Sequence, residues 1–286
     1  PSINCTYFDG FESYGCNLDI SNPNGFNDFT GIGGIHLEGF SNDDVGLLYI
    51  NNGVSSNIPS IICETFPNLI SVSLYSVGVT GIDDSAFSGC SRMTSLNLAS
   101  NRISTVSANA FSDLTELRSL YLDGNVLETL PENVFANQDA LTNLDMSFNP
   151  FTNIPAGLFR PLNNLESLFL AYANINEIND QWFTENGELG FLYLVGNRLS
   201  VTADSFTGLD GLHTIIMGYN GIDAIPVGTF THTPNLRYLY LNGNNFVELP
   251  ENIFTGLDDL ITLDLSDNPL SIIHDGAFRG LENLDE

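Results

Sequence analysis

Lysine is absent from this 286-residue chain, and seven arginines face 35 acidic residues, for a formal net charge of -28. So negative a surface repels phosphate backbones and anionic headgroups, so no nucleic-acid partner is expected. Runs of roughly 18 apolar residues, the minimum for a bilayer span, are also missing, so no membrane insertion is expected within the chain. A charged-then-apolar leader does not open it either. It begins at Pro1 without Met, as a mature secreted chain or a partial one would.

Catalytic signatures are equally scarce. There is no G-x-S-x-G, H-E-x-x-H, C-x-x-C pair or phosphate-cradling glycine loop. His36, His213, His232 and His274 share no short spacing with a nucleophile or carboxylate cluster, so neither a catalytic residue nor a cofactor is expected. The pairs Asp43-Asp44, Asp83-Asp84 and Asp258-Asp259 lack the alternating ligand loop of a hard-cation site, which needs six or more oxygens, and read as solvated loop carboxylates. The single tryptophan, Trp182, reads as a packed loop aromatic.

What the chain does have is apolar material and repetition. A hydrophobic fraction of 43% with 20 phenylalanines exceeds anything a disordered acidic chain carries, so a core must form. One pattern, L-x-x-L-x-L-x-x-N-x-L, returns every 24 residues, as in LRSLYLDGNVL (117–127), LRYLYLNGNNF (236–246) and LITLDLSDNPL (260–270). Turns start at Leu69, Met93, Leu117, Leu141, Leu165, Leu189, Leu212, Leu236 and Leu260, with a single 23-residue step after Leu189 and a degenerate earlier turn from Val45.

Each position in the repeat has a physical reading. The L-x-L alternation marks a short strand buried on one face, and identical turns stack such strands in parallel. Phe87, Phe111, Phe135, Phe159, Phe183, Phe206, Phe230, Phe254 and Phe278 recur in the return segments and are expected to form a buried spine that makes the return arc wider than the strand arc. Asn101, Asn125, Asn149, Asn197, Asn220, Asn244 and Asn268 form a third column, whose inward amides would serve the backbone groups of the turn. Gly53, Val77 and Ala173 break that column, with Asn174 a candidate to substitute for its neighbour.

These motifs resemble the extracellular leucine-rich-repeat family, of the 24-residue type found in Toll-like receptor ectodomains and lamprey variable lymphocyte receptors. The opening CTYFDGFESYGCNL with GIHLEGFSNDDV is similar to the N-terminal caps of secreted arthropod members. The resemblance implies an α/β-type solenoid, a horseshoe with a parallel sheet on the concave face and irregular loops or short helical turns on the convex face. The organisation expected is a disulfide cap over 1–44, about ten repeats over 45–283, and the start of a further repeat at 284–286 without a C-terminal cap. Recognition, adhesion and matrix roles dominate such families.

Four cysteines allow three pairings. Cys5–Cys16 would close a cap hairpin, and register would stack Cys63, at a spine position, against Cys90, at a buried leucine position one turn later. Asn4-Cys5-Thr6 is the one glycosylation sequon, placing Asn4 as a candidate glycan site and agreeing with an extracellular compartment.

The residues between the leucines point out of the sheet and can be read directly. Early turns carry Ser71, Ser73, Ser95, Asn97 and Ser119, which offer no anchor. Later ones carry Tyr121, Phe148, Phe169, Tyr172, Phe191, Tyr193, Ile216, Tyr219, Tyr238 and Tyr240, a stripe suited to a protein or peptide ligand, with a glycan as second choice. The rival expectation is a self-assembling filament or matrix protein, a homo-oligomer packing end to end through the uncapped C-terminal end at Leu281 and Leu284.

Overall fold

The computed structural model describes residues 2–10, 13–20, 30–53 and 56–286. Phe11 and Glu12 of the cap motif, residues 21–29 and 54–55, and Pro1 lie outside the described residues. The chain divides into two compact units, one formed by Pro1–Asp145 with Asn153–Pro161, the other by Met146–Thr152 with Leu162–Glu286.

In the first unit, β1 (Ser2–Asp9) and β2 (Tyr14–Asp19) form an antiparallel hairpin that the Cys5–Cys16 disulfide pins across the pair. A short β3 (Gly31–Gly33) lies parallel to β1 on its far side. β4 (Val45–Asn51) joins β2 in parallel, and from there the strands follow one another in chain order: β5 (Ser71–Ser73), β7 (Ser95–Asn97), β9 (Ser119–Tyr121) and β10 (Asn143–Asp145). Their central residues, Val72, Leu96, Leu120 and Leu144, are buried, as the apolar alternation requires.

The second unit repeats the scheme with β11 (Ser167–Phe169), β12 (Phe191–Tyr193), β13 (Thr214–Ile216), β14 (Tyr238–Tyr240) and β16 (Thr262–Asp264), all parallel and in register. Even the 23-residue step keeps Leu192 opposite Ile215. The missing residue falls between Asn197 and Phe206, in the return segment, because a deletion within the strand would turn every side chain to the wrong face.

The return segments are turns with very little helix: a five-residue α1 (Ile61–Thr65) and three-residue or four-residue 3-10 turns at Asn42–Asp44 and Thr229–His232. Two small parallel pairs that the repeat pattern did not announce also lie there, β6 (Gly81–Ile82) with β8 (Thr105–Val106) and β15 (Glu248–Leu249) with β17 (Ile272–Ile273).

Spine rings stack in both units, at 6.3 Å for Phe87–Phe111 and 6.2 Å for Phe111–Phe135, and at 6.2 Å for Phe206–Phe230 and 6.3 Å for Phe230–Phe254. Neighbouring strands lie only about 4.8 Å apart, so successive turns within each unit diverge toward the return side. Phe278 departs from the expected buried spine. It stacks on Phe254 at 6.2 Å with one face, and its other face leaves it 43% exposed.

The asparagine column is the polar counterpart of the spine. Asn101 Oδ1 accepts from the N–H groups of Val77, Gly78 and Val79 at 2.9, 2.8 and 3.1 Å, while its Nδ2 donates to the carbonyls of Leu74, Leu98 and Ala99. One side chain thus serves six buried or part-buried backbone groups of two successive turns. Where the column is interrupted, at Gly53 and Val77, an apolar plug replaces it: a Cβ on Gly53 would sit 2.7 Å from Val77 Cγ1. Asn174 does not substitute for Ala173, contrary to expectation. It is exposed, donates to the Phe151 carbonyl at 2.8 Å, and leaves the Ala173 N–H to Asn197 Oδ1 at 2.9 Å. Asn268 lies in its column position but is only part-buried.

The second disulfide joins Cys63, in α1, to Cys90 one turn later, so both bridges follow the expected pairing.

Candidate functional site

The outward sheet face of the second unit is built from two strand positions per turn. The first outward strand position carries Ser167, Phe191, Thr214, Tyr238 and Thr262, and the second carries Phe169, Tyr193, Ile216, Tyr240 and Asp264. Each of Phe169, Phe191, Tyr193, Ile216, Tyr238 and Tyr240 is partly exposed, while the leucine or isoleucine between them is buried. In the first unit the corresponding exposed aromatics are Tyr49 on β4, opposite Ser73, and Tyr121 on β9, between Asn97 and Asp145 of the flanking strands.

Phe148, Tyr172 and Tyr219 were expected to belong to the same strand face. They stand instead at the turn that follows the strand, in a column of uniformly left-handed backbone. In the second unit that column reads Phe148 (φ 54), Tyr172 (φ 48), Gly196 (φ 73), Tyr219 (φ 56), Gly243 (φ 68) and Asp267 (φ 56). Glycine adopts this region freely, whereas a bulky aromatic there is an outlier held by its surroundings. The three aromatics are nonetheless 58%, 51% and 54% exposed, so the burial they gain is incomplete. Glycines make room for two of them: a Cβ on Gly196 would lie 2.3 Å from the Tyr172 ring, and one on Gly243 2.5 Å from the Tyr219 ring.

Ring contacts divide the aromatics into two groups. Phe169, Phe191 and Tyr193 touch on the strand face, with centroids 5.3 Å (Phe169–Phe191), 5.9 Å (Phe169–Tyr193) and 6.2 Å (Phe191–Tyr193) apart. Phe148 and Tyr172 stack at 5.1 Å along the turn edge. An open cleft of about 600 Å³ adjoins the first group, walled by Phe169 and Phe191 and rimmed by Glu166, Glu188 and His213. The repeat pattern pointed to the rings and passed over this rim. The available signal was Gly190, a glycine in a column that from Ile70 onward is otherwise filled by Thr, Arg, Glu, His or Ile.

Elsewhere, candidate chemistry resolves into structural work. Asp83 Oδ1 accepts from Ser85 N–H and Oγ, Asp44 Oδ2 does the same for Ser41, and Asp84 Oδ1 accepts from Asn109 N–H, so these carboxylates hold turns together. His36 is packed in the cap, its ring 4.0 Å from Tyr7 and its nitrogens within 3.2 Å of Tyr14 Oη and 2.8 Å of Asn42 Oδ1. Burial, and secondarily Tyr14, pushes the Tyr7 hydroxyl pKa above its ordinary value. His232 and His274 pair with Asp204 and Glu248 at the surface. Trp182 is buried, edge-on to Phe183. Asn4 is exposed on β1. In the first unit, burial and then neighbouring Asp145 raise the Asp123 carboxyl above the usual carboxylate range.

Stacked turns with one sheet and one asparagine column define a class, the β-solenoids assembled from leucine-rich turns. The chain belongs to the leucine rich repeat family, whose model matches residues 67–127, 128–199, 200–246 and 234–286. Solved structures extend the likeness. A chain of the Drosophila Toll–Spatzle complex is similar over 91% of this chain and 36% of its own length, with 22% identity and a TM-score of 0.79. One from the octameric complex of Latrophilin 3, Unc5D and FLRT2 covers 98% and 81%, with 23% identity and a TM-score of 0.75. The APL1 leucine-rich repeat domain covers 98% and 80%, with 20% identity and a TM-score of 0.61. At these identities the likeness is one of fold, and this chain spans about a third of the first of them. No curated protein matches the sequence.

Proposed function

We propose that this protein is a secreted, extracellular, non-enzymatic recognition or adhesion scaffold, whose second unit holds a protein or peptide partner on its aromatic sheet face. The observation that carries the reading is the set of half-exposed Phe148, Tyr172 and Tyr219 in left-handed turns. Left-handed turns recur along this column in both units, at Ser76 and Ser100 as well as here, so the feature particular to the second unit is the large exposed rings set on them. The adjoining Phe169, Phe191 and Tyr193 extend the patch, while the same columns of the first unit carry mostly serine and asparagine. Two disulfides fit an oxidising compartment, and among the described residues no helix is long and apolar enough to cross a membrane. Structural relatives named for complexes with Spatzle, or with Latrophilin 3 and Unc5D, lend support by analogy of fold.

The test uses photo-crosslinking residues at Tyr193 or Tyr240, with Ser71 and Ser95 as controls, in medium conditioned by the source tissue. An adduct from the tyrosine positions alone supports the reading, and equal yields from Ser95 refute it. Tyr193→Ala with Tyr240→Ala then weakens the captured partner by about 30-fold per hot-spot residue, at about 2 kcal/mol each, with the melting temperature nearly unchanged. Light scattering on the same material separates this reading from end-to-end assembly, which gives an open-ended size distribution.

A further inference from the structure

The position after the first leucine of each turn is filled by Glu166, Gly190, His213, Arg237 and Ile261 in the second unit. Gly190 alone has no side chain and is itself buried, and the cleft of about 600 Å³ lies against it. The His213 ring leans across it, Nε2 lying 2.6 Å from where a Cβ at 190 would stand. The walls are the rings of Phe169 and Phe191, tilted 43° to one another, and the rim carries the exposed carboxylates of Glu166 and Glu188.

We propose that this cleft takes an arginine side chain of the protein or peptide partner. Aromatic faces attract a cation through the negative face of the ring, and a planar guanidinium stacks on such a face while its edge donates to carboxylates. Both elements stand here within one cleft. The rim repels an anionic group, and a net charge of -28 with no lysine draws basic partners from a distance. Arg237, the next cation of the column, lines the neighbouring cleft with His213, Asn235, Tyr238 and Asp259 and is not part of the lining of this one. This inference rests on the sheet face of the second unit being where a partner sits, and it specifies what that partner must present.

The probe is acetyl-Gly-Arg-Gly-amide, titrated into the whole protein by amide NMR at about physiological salt, where diffuse surface attraction is screened. The control is the same peptide with citrulline, isosteric and neutral. Expected are saturable shifts of the Gly190 and Phe191 amides with the arginine peptide only, weakened about tenfold by Glu166→Gln with Glu188→Gln, since each exposed charge pair contributes modestly. Gly190→Leu fills the cleft and abolishes the shifts, with unchanged spectral dispersion elsewhere reporting an intact fold. Equal binding of the citrulline peptide, shifts scattered over the acidic surface without Gly190, or indifference to the double glutamine change each overturn the proposal. If the natural partner needs Tyr193 and Tyr240 while the arginine peptide ignores Gly190, the cleft assignment falls and the sheet-face reading stands. If the peptide binds at Gly190 and the partner ignores the tyrosines, the sheet-face reading falls instead.

Discussion

Asn197→Ala isolates what the asparagine column contributes. Asn197 Oδ1 accepts from Ala173 N–H at 2.9 Å and Ile175 N–H at 3.1 Å, and its Nδ2 donates to the carbonyls of Leu170 and Leu194 at 2.8 and 2.9 Å. Leu194 keeps a donor after the change, because Asn220 Nδ2 also reaches it at 3.0 Å. Three groups, Ala173 N–H, Ile175 N–H and the Leu170 carbonyl, therefore lose their amide partner. Each stranded buried group costs about 1–3 kcal/mol, and local relaxation keeps the sum below strict additivity, so a loss of about 3–5 kcal/mol is expected. Against a typical total of about 5–15 kcal/mol that is severe. Urea unfolding measures it, and hydrogen exchange should place it in the turns around residues 170–197, since solenoid turns couple mainly to neighbours. Asn174→Ala is the comparison, an exposed residue making one bond to Phe151 in a left-handed backbone, with an expected cost of about 1 kcal/mol. Equal effects at the two positions, or a loss below about 1 kcal/mol at Asn197, would refute the argument that buried backbone satisfaction holds the turns together.

Asp123→Asn tests the raised carboxyl in the first unit. A carboxyl whose folded pKa is raised contributes its full stability below the unfolded pKa and loses it as pH rises through the folded one, so the variant should gain melting temperature at pH 7 relative to wild type and show little difference at pH 3. A larger gain at pH 3 contradicts this. Replacing Cys63 and Cys90 together by alanine opens a bridge of sequence separation 27, which chain entropy values at about 3–4 kcal/mol. Denaturant unfolding of the reduced-bridge variant should show a loss of that size, with hydrogen exchange accelerating first near Cys90.

Fold and columns were readable in the sequence because each turn repeats the same physical demands. A buried Leu120 or Leu192, a spine Phe111 or Phe230 and an inward Asn101 recur at fixed offsets, and recurrence averages away local ambiguity. Interruptions escaped that logic. Asn174 looked like a displaced column member, but a one-residue shift at a left-handed turn sends its amide outward to Phe151. Phe148, Tyr172 and Tyr219 looked like strand residues because periodicity reports which way a side chain points and says nothing of the sign of φ. The glycines in the same column, Gly196 and Gly243, held the missing information. The cap was opaque for a different reason: Tyr7, Tyr14, His36 and Asn42 meet once, with no second copy to reveal the pattern.

The fit of the Tyr172 ring over Gly196, and of Tyr219 over Gly243, sets a rule for how this surface changes by mutation. At these two turns the ring lies over a glycine in the next turn, where a Cβ would collide with it, whereas Phe148 is followed by Tyr172 and stacks on it instead. Inheritance at this column is therefore directional, and two consecutive turns form the smallest portable unit. A chimera that transplants the 172 turn without its successor should inherit the ring and lose its seat, whereas one that carries both, from Leu165 through Leu212, should keep the edge intact.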